Sequence, residues 1–382
     1  MRTSTDFISC GKNEGSIRLS LQEICSCIEI GASTADYDFL CSNDLVKTAI
    51  ELRDKGTRVP DDIRDSAKMR SNPFAYIDEP SIFTNYDAIK LAALDATFNL
   101  TPSSDETSSK SFLFADICGG PGGFTEYLTW KIHQKNSTSR GYGITLRSSS
   151  NPQDHWHLEN FSSDIPVNFT QIDGYDGTGD ICIKNNILEF DAVISNNTKK
   201  RGVDLVVADG GFESLKKHQH LLLCEIITML TCLRLGGNFV CKFFDIFDEW
   251  TADLLWLLYQ LFDSICITKP LSSDPTLSER YIICKGFIYQ HPTKLIDILL
   301  SINETIHQQQ NDEELGRFIP RSLLEKDEDF MDYVRMKNMK FLLHQIDALE
   351  QLEVYIADSD RPCIYDQELI RKQCLQEWHL PI

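Results

Sequence analysis

Apolar and polar positions divide the chain into three stretches. Over residues 1–70 short helical patterns alternate with polar breaks, and "VPDDIRDSAKMRSNP" has the look of a connecting segment. Next, "SIFTNYDAIKLAALDATFNL" carries apolar residues at helical spacing, and the polar tract "TPSSDETSSK" behind it predicts a loop. From Phe112 onward short β-rich apolar runs alternate with loops and longer helical patterns, the order of an α/β sheet. Strands are expected at "FLFADIC", "GYGITL", "NFTQID", "VDLVVAD", "GGNFVCKFF", "SICITKP" and "RYIICKGF", with helices that include "GFTEYLTWKIHQ", "HQHLLLCEIITMLTCLRL" and "WTADLLWLLYQLFD". Beyond about residue 290 helical patterns take over, notably "DEDFMDYVRMKNMKFLLHQIDALEQLEVYI". The chain is therefore divided into an N-terminal helical extension over 1–70, an α/β domain over 71–290 and a C-terminal helical extension over 291–382.

The character of the strands narrows the fold. "DLVVAD" is apolar without alternation, as in a strand buried on both faces. "SICITKP" and "RYIICKGF" are joined by too few residues for a crossover helix, so they should be antiparallel neighbours. The expectation is a Rossmann-like, mostly parallel seven-stranded sheet with an antiparallel final strand.

Composition adds little to that picture and charge adds more. The 382 residues contain 57 acidic and 37 basic side chains, a formal net charge of -20. A surface so acidic repels polyanions on average, so any nucleic acid needs a local basic cleft. No transmembrane-length apolar run and no secretory leader is apparent, and a soluble intracellular protein without membrane contact is expected. The thirteen cysteines are scattered, several in apolar runs (Cys224, Cys232, Cys241, Cys284), and read as reduced core residues. No zinc-type spacing occurs; His155/His157 and His218/His220 read as solvated histidines, and no metal is expected.

Three features carry candidate chemistry. In "FADICGGPGGFTEYL" an apolar strand ends in Asp116, Gly119, Gly120, Pro121, Gly122 and Gly123 ahead of a helix. Such a turn at a strand's carboxyl end lets backbone approach a nucleotide-like cofactor, and its spacing matches neither the dinucleotide nor the phosphate-loop pattern. In "GYDGTGDICIKNNI", Asp180 could accept a hydrogen bond from an exocyclic amine, although a plain Asx-turn or calcium-like loop would look the same. Asp209 closes the fourth strand, Lys242 closes the fifth and Glu279 opens the last, so all three should face one cleft, with Lys90 on the preceding helix beside it. The alternative is a structural ion-pair network. Four such residues beside a cofactor loop favour function, because charges at the ends of apolar strands are costly to bury unpaired.

"FADICGGPGGFTEYLTWK", "GYGITL", "DGTGDI", "VVADGGF", "GGNFVCKFFDIF" and "SSDPTLSERYIICKG" resemble, in order and spacing, the eukaryotic cap-specific messenger RNA 2′-O-methyltransferases of the FtsJ-like (RrmJ-type) superfamily. The likeness runs from about Arg70 through "RSNPFAYIDEPSIFTNYDAIKLAALD" to the tail "LIRKQCLQEWHLPI". The resemblance implies an S-adenosylmethionine-dependent methyltransferase that acts on a ribose 2′-hydroxyl at the 5′ end of capped messenger RNA, most simply that of the first transcribed nucleotide. It lays the family's Lys-Asp-Lys-Glu tetrad on Lys90, Asp209, Lys242 and Glu279. It places the cofactor's amino-acid end on the glycine loop and its adenine on Asp180, with Asn85, Cys118, Thr145, Leu146 and Asp209 among the contacts. For the cap it offers Lys68, Arg70 and Asn338. The G-patch, guanylyltransferase-like and WW segments of the animal proteins are not apparent, so a compact version or lineage-specific paralogue is expected, working in the nucleus or cytoplasm, with the transcription or capping machinery as candidate partners.

The expected chemistry is in-line methyl transfer, with Lys242 orienting and deprotonating the hydroxyl. Burial and Lys90 would lower the Lys242 pKa, whereas Asp209 and Glu279 would raise it, and the sequence leaves that balance open. Lys199, Lys200 and Arg201 ahead of the fourth strand, with Arg147, Lys216, Lys269 and Arg280, are the candidate phosphate contacts, a solvated loop being the plain alternative. Two other functions stay open: 2′-O-methylation of another RNA (ribosomal, transfer, or the second cap nucleotide) and an inactive cap-binding protein.

Overall fold

The computed structural model describes residues 3–12, 16–32, 36–79, 82–102, 111–147, 155–161, 165–212, 214–308 and 315–382; most of the polar tract after the first long helix, 103–110, lies outside them. The strands are β1 (Phe112–Ile117), β2 (Ser139–Ile144), β3 (Phe169–Gln171), β4 (Val203–Ala208), β5 (Leu233–Phe243), β6 (Phe262–Thr268) and β7 (Arg280–Phe287). They form one seven-stranded sheet in the order β3-β2-β1-β4-β5-β7-β6. β1 to β5 pair in parallel, and β7 lies antiparallel between β5 and β6. The strand reading from sequence therefore holds, including the β6–β7 pairing, and β7 alone runs against the rest.

The helices are α1 (Leu21–Cys27), α2 (Asn43–Thr57), α3 (Asp61–Ser71), α4 (Asp87–Phe98), α5 (Gly123–Gln134), α6 (Lys184–Thr198), α7 (Leu215–Cys232), α8 (Glu249–Leu261), α9 (Thr293–Gln308), α10 (Arg321–Lys326), α11 (Glu328–Ala357) and α12 (Gln367–Glu377). Successive strand residues point to opposite faces, and here both faces are covered. Phe114, Leu205, Val207, Val240 and Ile283 pack under α4, α5 and the Leu375/Trp378 end of the chain. Ala115, Val206, Ala208, Cys241 and Ile282 pack under α6 to α9 in a core that also takes in Ile8 and Phe330. No helix among the described residues is long and apolar enough to cross a membrane.

Four segments depart from the sequence reading. Residues 59–73 are no linker: α3 buries Ala67 against Leu352 and Tyr355 of α11, a tertiary contact that a short polar helix needs and that its own pattern does not announce. The helical pattern at 233–235 and at 262–263 is strand, because α7 runs into β5, and α8 into β6, with no polar break between them. α6, which apolar spacing had not singled out, supplies the crossover from β3 to β4.

Candidate active site

Parallel strands bring their carboxyl ends to one edge, and the residues that follow β1, β2, β4 and β5 line a cleft there. It encloses about 720 Å³, and its walls include Cys118, Gly120, Thr145, Leu146, Asp180, Asp209 and Lys242. The turn after β1 is tight. A side chain on Gly119 would lie 2.2 Å from Asp116 Oδ1. Asp116 is fully buried and its Oδ2 accepts from Thr125 Oγ1 at 2.7 Å, whereas Oδ1 has no partner; burial raises the carboxyl pKa to about 8. Asn85 lies against the far side of the turn, where a side chain on Gly123 would come within 2.8 Å of its Oδ1.

The loop after β3 closes the other end of the cleft. Gly179 has a φ of +67°, and an added Cβ would sit 1.9 Å from the carbonyl oxygen of Thr145. Beneath it the buried Asn186 of α6 donates to Asp176 Oδ1 at 2.9 Å and to the Asp180 carbonyl at 2.9 Å, holding the loop from inside. The Asp180 carboxylate accepts from the Cys182 N–H at 2.8 Å and forms part of the wall. An unpartnered buried carboxylate oxygen at one end, a cradle that tolerates no Cβ and a carboxylate at the other fit the amino-acid and adenine ends of S-adenosylmethionine.

Beyond the glycine turn the four charged residues from distant stretches meet. Lys90 Nζ lies 3.0 Å from Glu279 Oε2 and 3.0 Å from Asp87 Oδ1. Lys242 Nζ donates to the Asp209 carbonyl at 2.7 Å and lies 3.3 Å from Asp209 Oδ1. Tyr281, paired with Lys242 across β5 and β7, donates its hydroxyl to Asp209 Oδ1 at 2.7 Å, and Ser273 donates to Glu279 Oε1 at 2.6 Å. Asp87, Tyr281 and Ser273 were not anticipated, although Asp87 precedes Lys90 by one helical turn and could have been found on that spacing.

Burial sets the protonation states. It pushes the Asp209 carboxyl up to about 6 against the pull of Lys242. Burial also pulls the Lys242 ammonium down, but Asp209 and Glu279 outweigh it and the pKa stands above the ordinary lysine value. That answers the balance left open by sequence: in the free protein Lys242 is charged. Lys90 is likewise held charged, and Glu279, despite burial, is drawn down by Lys90.

The basic candidates fare differently. Lys199, Lys200 and Arg201 are placed at the wrong edge, since the residues ahead of a parallel strand lie at the amino end of the sheet; Lys200 lines a separate pocket with His291 there, and Arg201 pairs with Asp204. Arg280 is not a phosphate contact either. It is fully buried, bonded to Asn338 Oδ1 at 2.8 Å and paired with Asp245 at 3.2 Å, and Asn338 spends its amide on the carbonyls of Leu40 and Ile246. Arg70 donates to the carbonyls of Tyr355, Asp358 and Arg361 and so caps α11. Lys269 holds the carbonyls of Leu277 and Glu279 at 2.8 and 2.9 Å, and burial lowers its pKa to about 8. Arg147 pairs with Asp173 at 2.8 Å beside the loop that follows β3. Lys216 lies in the first turn of α7 and is not among the residues that line the cleft. Lys68 pairs with Asp274 at 3.0 Å in the wall of a small pocket next to a larger cavity.

That cavity, about 330 Å³, adjoins the charged cluster through Glu279 and is lined by Phe74, Leu271, Lys340, Phe341 and His344 among others. The histidines also need correcting: His218 is buried on Phe244 with both ring nitrogens unpartnered, and His220 is half-buried beside two cysteines.

The model of the FtsJ-like methyltransferases matches residues 85–287. The cap-specific mRNA (nucleoside-2′-O-)-methyltransferase 1 of Dictyostelium discoideum is 38% identical over 337 residues, covering 82% of this chain and 43% of that protein. The protein of the same name from Mus musculus is 33% identical over 367 residues, covering 91% and 43%. Among solved structures, human methyltransferase-like protein 13 in complex with SAH aligns with a TM-score of 0.35 and 12% identity over 59% of this chain and 93% of that one. The chain thus spans less than half the length of the curated relatives it matches. With the match extending from Asn85 beside the glycine turn to the end of β7, the chain belongs to the FtsJ-like methyltransferase family.

Proposed function

We propose that this chain methylates the ribose 2′-hydroxyl of the first transcribed nucleotide of capped messenger RNA. The observation that carries this reading is the meeting of two ion pairs, Lys90–Glu279 and Lys242–Asp209, near enough for each to act on the other's charge, between the cofactor cleft and a second cavity. The names of the relatives supply the substrate class.

S-adenosylmethionine, when bound, supplies the methyl group on a positively charged sulfonium. Asp116, the glycine turn and Asp180 hold it in the cleft. Lys242 orients the hydroxyl. Because Lys242 is an ammonium in the free protein, it must first release a proton to solvent, which further positive charge beside it favours by lowering its pKa; the neutral amine then accepts the hydroxyl proton. Asp209 fixes the amine through two contacts, and Tyr281 in turn fixes Asp209. Lys90 and Glu279 stand ready for the ribose and its phosphates, and three carboxylates against two lysines leave the cluster with a surplus negative charge that suits a cationic donor.

The second cavity is where the cap guanine belongs in this reading. Phe74, Phe341 and His344 offer flat faces for a base, and Lys340 supplies a cation for the phosphates. A nuclear address and contact with the transcription or capping machinery go with the same reading; microscopy and co-purification of a tagged chain test both. Incubation with capped and uncapped RNA of one sequence, followed by mass-spectrometric mapping, tests the reaction itself. A methyl group on the first nucleotide of the capped RNA alone is expected, and equal methylation of both RNAs would overturn it.

A further inference from the structure

Cys182, His220 and Cys224 bring their ligand atoms within 4.8 Å of one another, behind the wall of the cofactor cleft. His220 and Cys224 are four residues apart on α7 and so share a face. Cys182 arrives from the loop after β3, two residues beyond Asp180, which is why linear spacing gave no hint of the group. Tetrahedral zinc with bonds of about 2.0–2.3 Å sets its ligand atoms roughly 3.3–3.8 Å apart, so small side-chain rotations close the set.

A second layer is already built. Asn303 of α9 is fully buried, with its Oδ1 2.6 Å from His220 Nε2 and 3.4 Å from Cys224 Sγ, and its amide donates to the Cys182 carbonyl at 3.2 Å. His220 Nε2 and the Cys224 thiol thus meet on one Asn303 oxygen, so the buried amide fixes the orientation of both side chains. Buried polar partners of this kind orient metal-ligating side chains. Two thiols and an imidazole form a soft set suited to zinc, whereas calcium and magnesium require oxygen. Cys182 and His220 are half-buried, leaving an approach for the ion and a fourth position for water.

We propose that Cys182, His220 and Cys224 form a zinc site that staples the adenine loop to α7 and α9. Binding forms two Zn–S bonds and one Zn–N bond and releases the two thiol protons to solvent. The site's effect on methyl transfer is indirect. Asp180 and Ile181 are cleft wall two residues and one residue from Cys182, so the bound ion stiffens the surface against which the cofactor lies. Metal binding is measured without RNA and does not depend on the substrate assignment.

The test uses the full chain, reduced, stripped with a chelator and titrated with cobalt(II) and then zinc. One cobalt per chain is expected, with a thiolate charge-transfer band and the visible bands of tetrahedral cobalt, both bleached by zinc. Cys182→Ser should abolish the charge-transfer band while circular dichroism stays native. Asn303→Ala should weaken binding by about 10- to 100-fold. Cys224 is fully buried, so its serine variant is read only alongside a thermal melt, and Cys182→Ser is the deciding arm. Failure of the wild-type chain to take up stoichiometric cobalt, or undiminished uptake by Cys182→Ser, would overturn the proposal. Removal of the ion should also lower S-adenosylmethionine affinity by calorimetry.

Discussion

Lys242 is an ammonium enclosed by apolar strands, and two carboxylates keep it charged. A residue that must give up that charge to work should not tolerate arginine, which stays protonated. Lys242→Arg and Lys242→Ala are therefore expected to fall to the same floor, a loss of about 10²–10⁴ in turnover, with cofactor binding by calorimetry retained. Arginine well above alanine in single-turnover rates would leave Lys242 a positioning role only. Glu225 poses a different question, for it is fully buried, and its carboxylate accepts from the Gly210 N–H at 3.1 Å. Burial pushes its pKa from 4.5 up to about 8, so the folded state holds a proton that the unfolded chain has lost. The stability tied to that proton is complete below the ordinary glutamate range and drains away as pH rises through about 8. Glu225→Gln should gain melting temperature over the wild type as pH climbs across that window, and thermal melts at several pH values check it.

At the scale of elements, strands were legible and their surroundings less so. Strands buried on both faces, such as "DLVVAD", advertise themselves, and charged residues at the carboxyl ends of two of them and at the start of the antiparallel one drew attention to Asp209, Lys242 and Glu279. Boundaries blurred where a helix turns into a strand without a polar break, as at Leu233 and Phe262, because both elements are apolar there. α3 was missed because its stability comes from α11 and not from its own sequence. Tyr281 and Ser273 escaped notice because a hydroxyl acquires its role from its neighbour. The loop after β3 was picked out by its glycines, and the structure gives Gly179 a definite burden: left-handed backbone in contact with the Thr145 carbonyl. Gly179→Ala should cost about 1–3 kcal/mol where strain persists and displace the loop where it does not. Loss of S-adenosylmethionine affinity with an intact fold is the expected result, measured by calorimetry beside circular dichroism.

Across the whole molecule the direction of each strand decides which charges meet. "NTKKRG" looked suitable for RNA by composition, yet it precedes a parallel strand, and the sheet separates it from the cleft. Replacing Lys199, Lys200 and Arg201 with alanine should leave RNA affinity and its salt slope unchanged, a result filter binding at several salt concentrations can check. The same change at Lys340 should weaken both, since that side chain lines the cavity beside Glu279. Arg280 illustrates the opposite error: an arginine next to the site that serves the interior, lodged between Phe247 and Phe341 with Asn338 as its partner.

The outer strand β6 is not bare: Ile8 exchanges two backbone hydrogen bonds of 2.9 Å with Ile265, and Arg18 caps the Phe262 and Gln260 carbonyls. An excised 85–287 segment would give up this cover together with the buried Asn338 that receives Arg280. An exposed apolar rim invites pairing with other chains, so such a fragment should sediment as soluble aggregates where the intact chain gives a single species. The matched family module is thus expected to depend on its flanks, which cover its outer strand and partner its buried arginine.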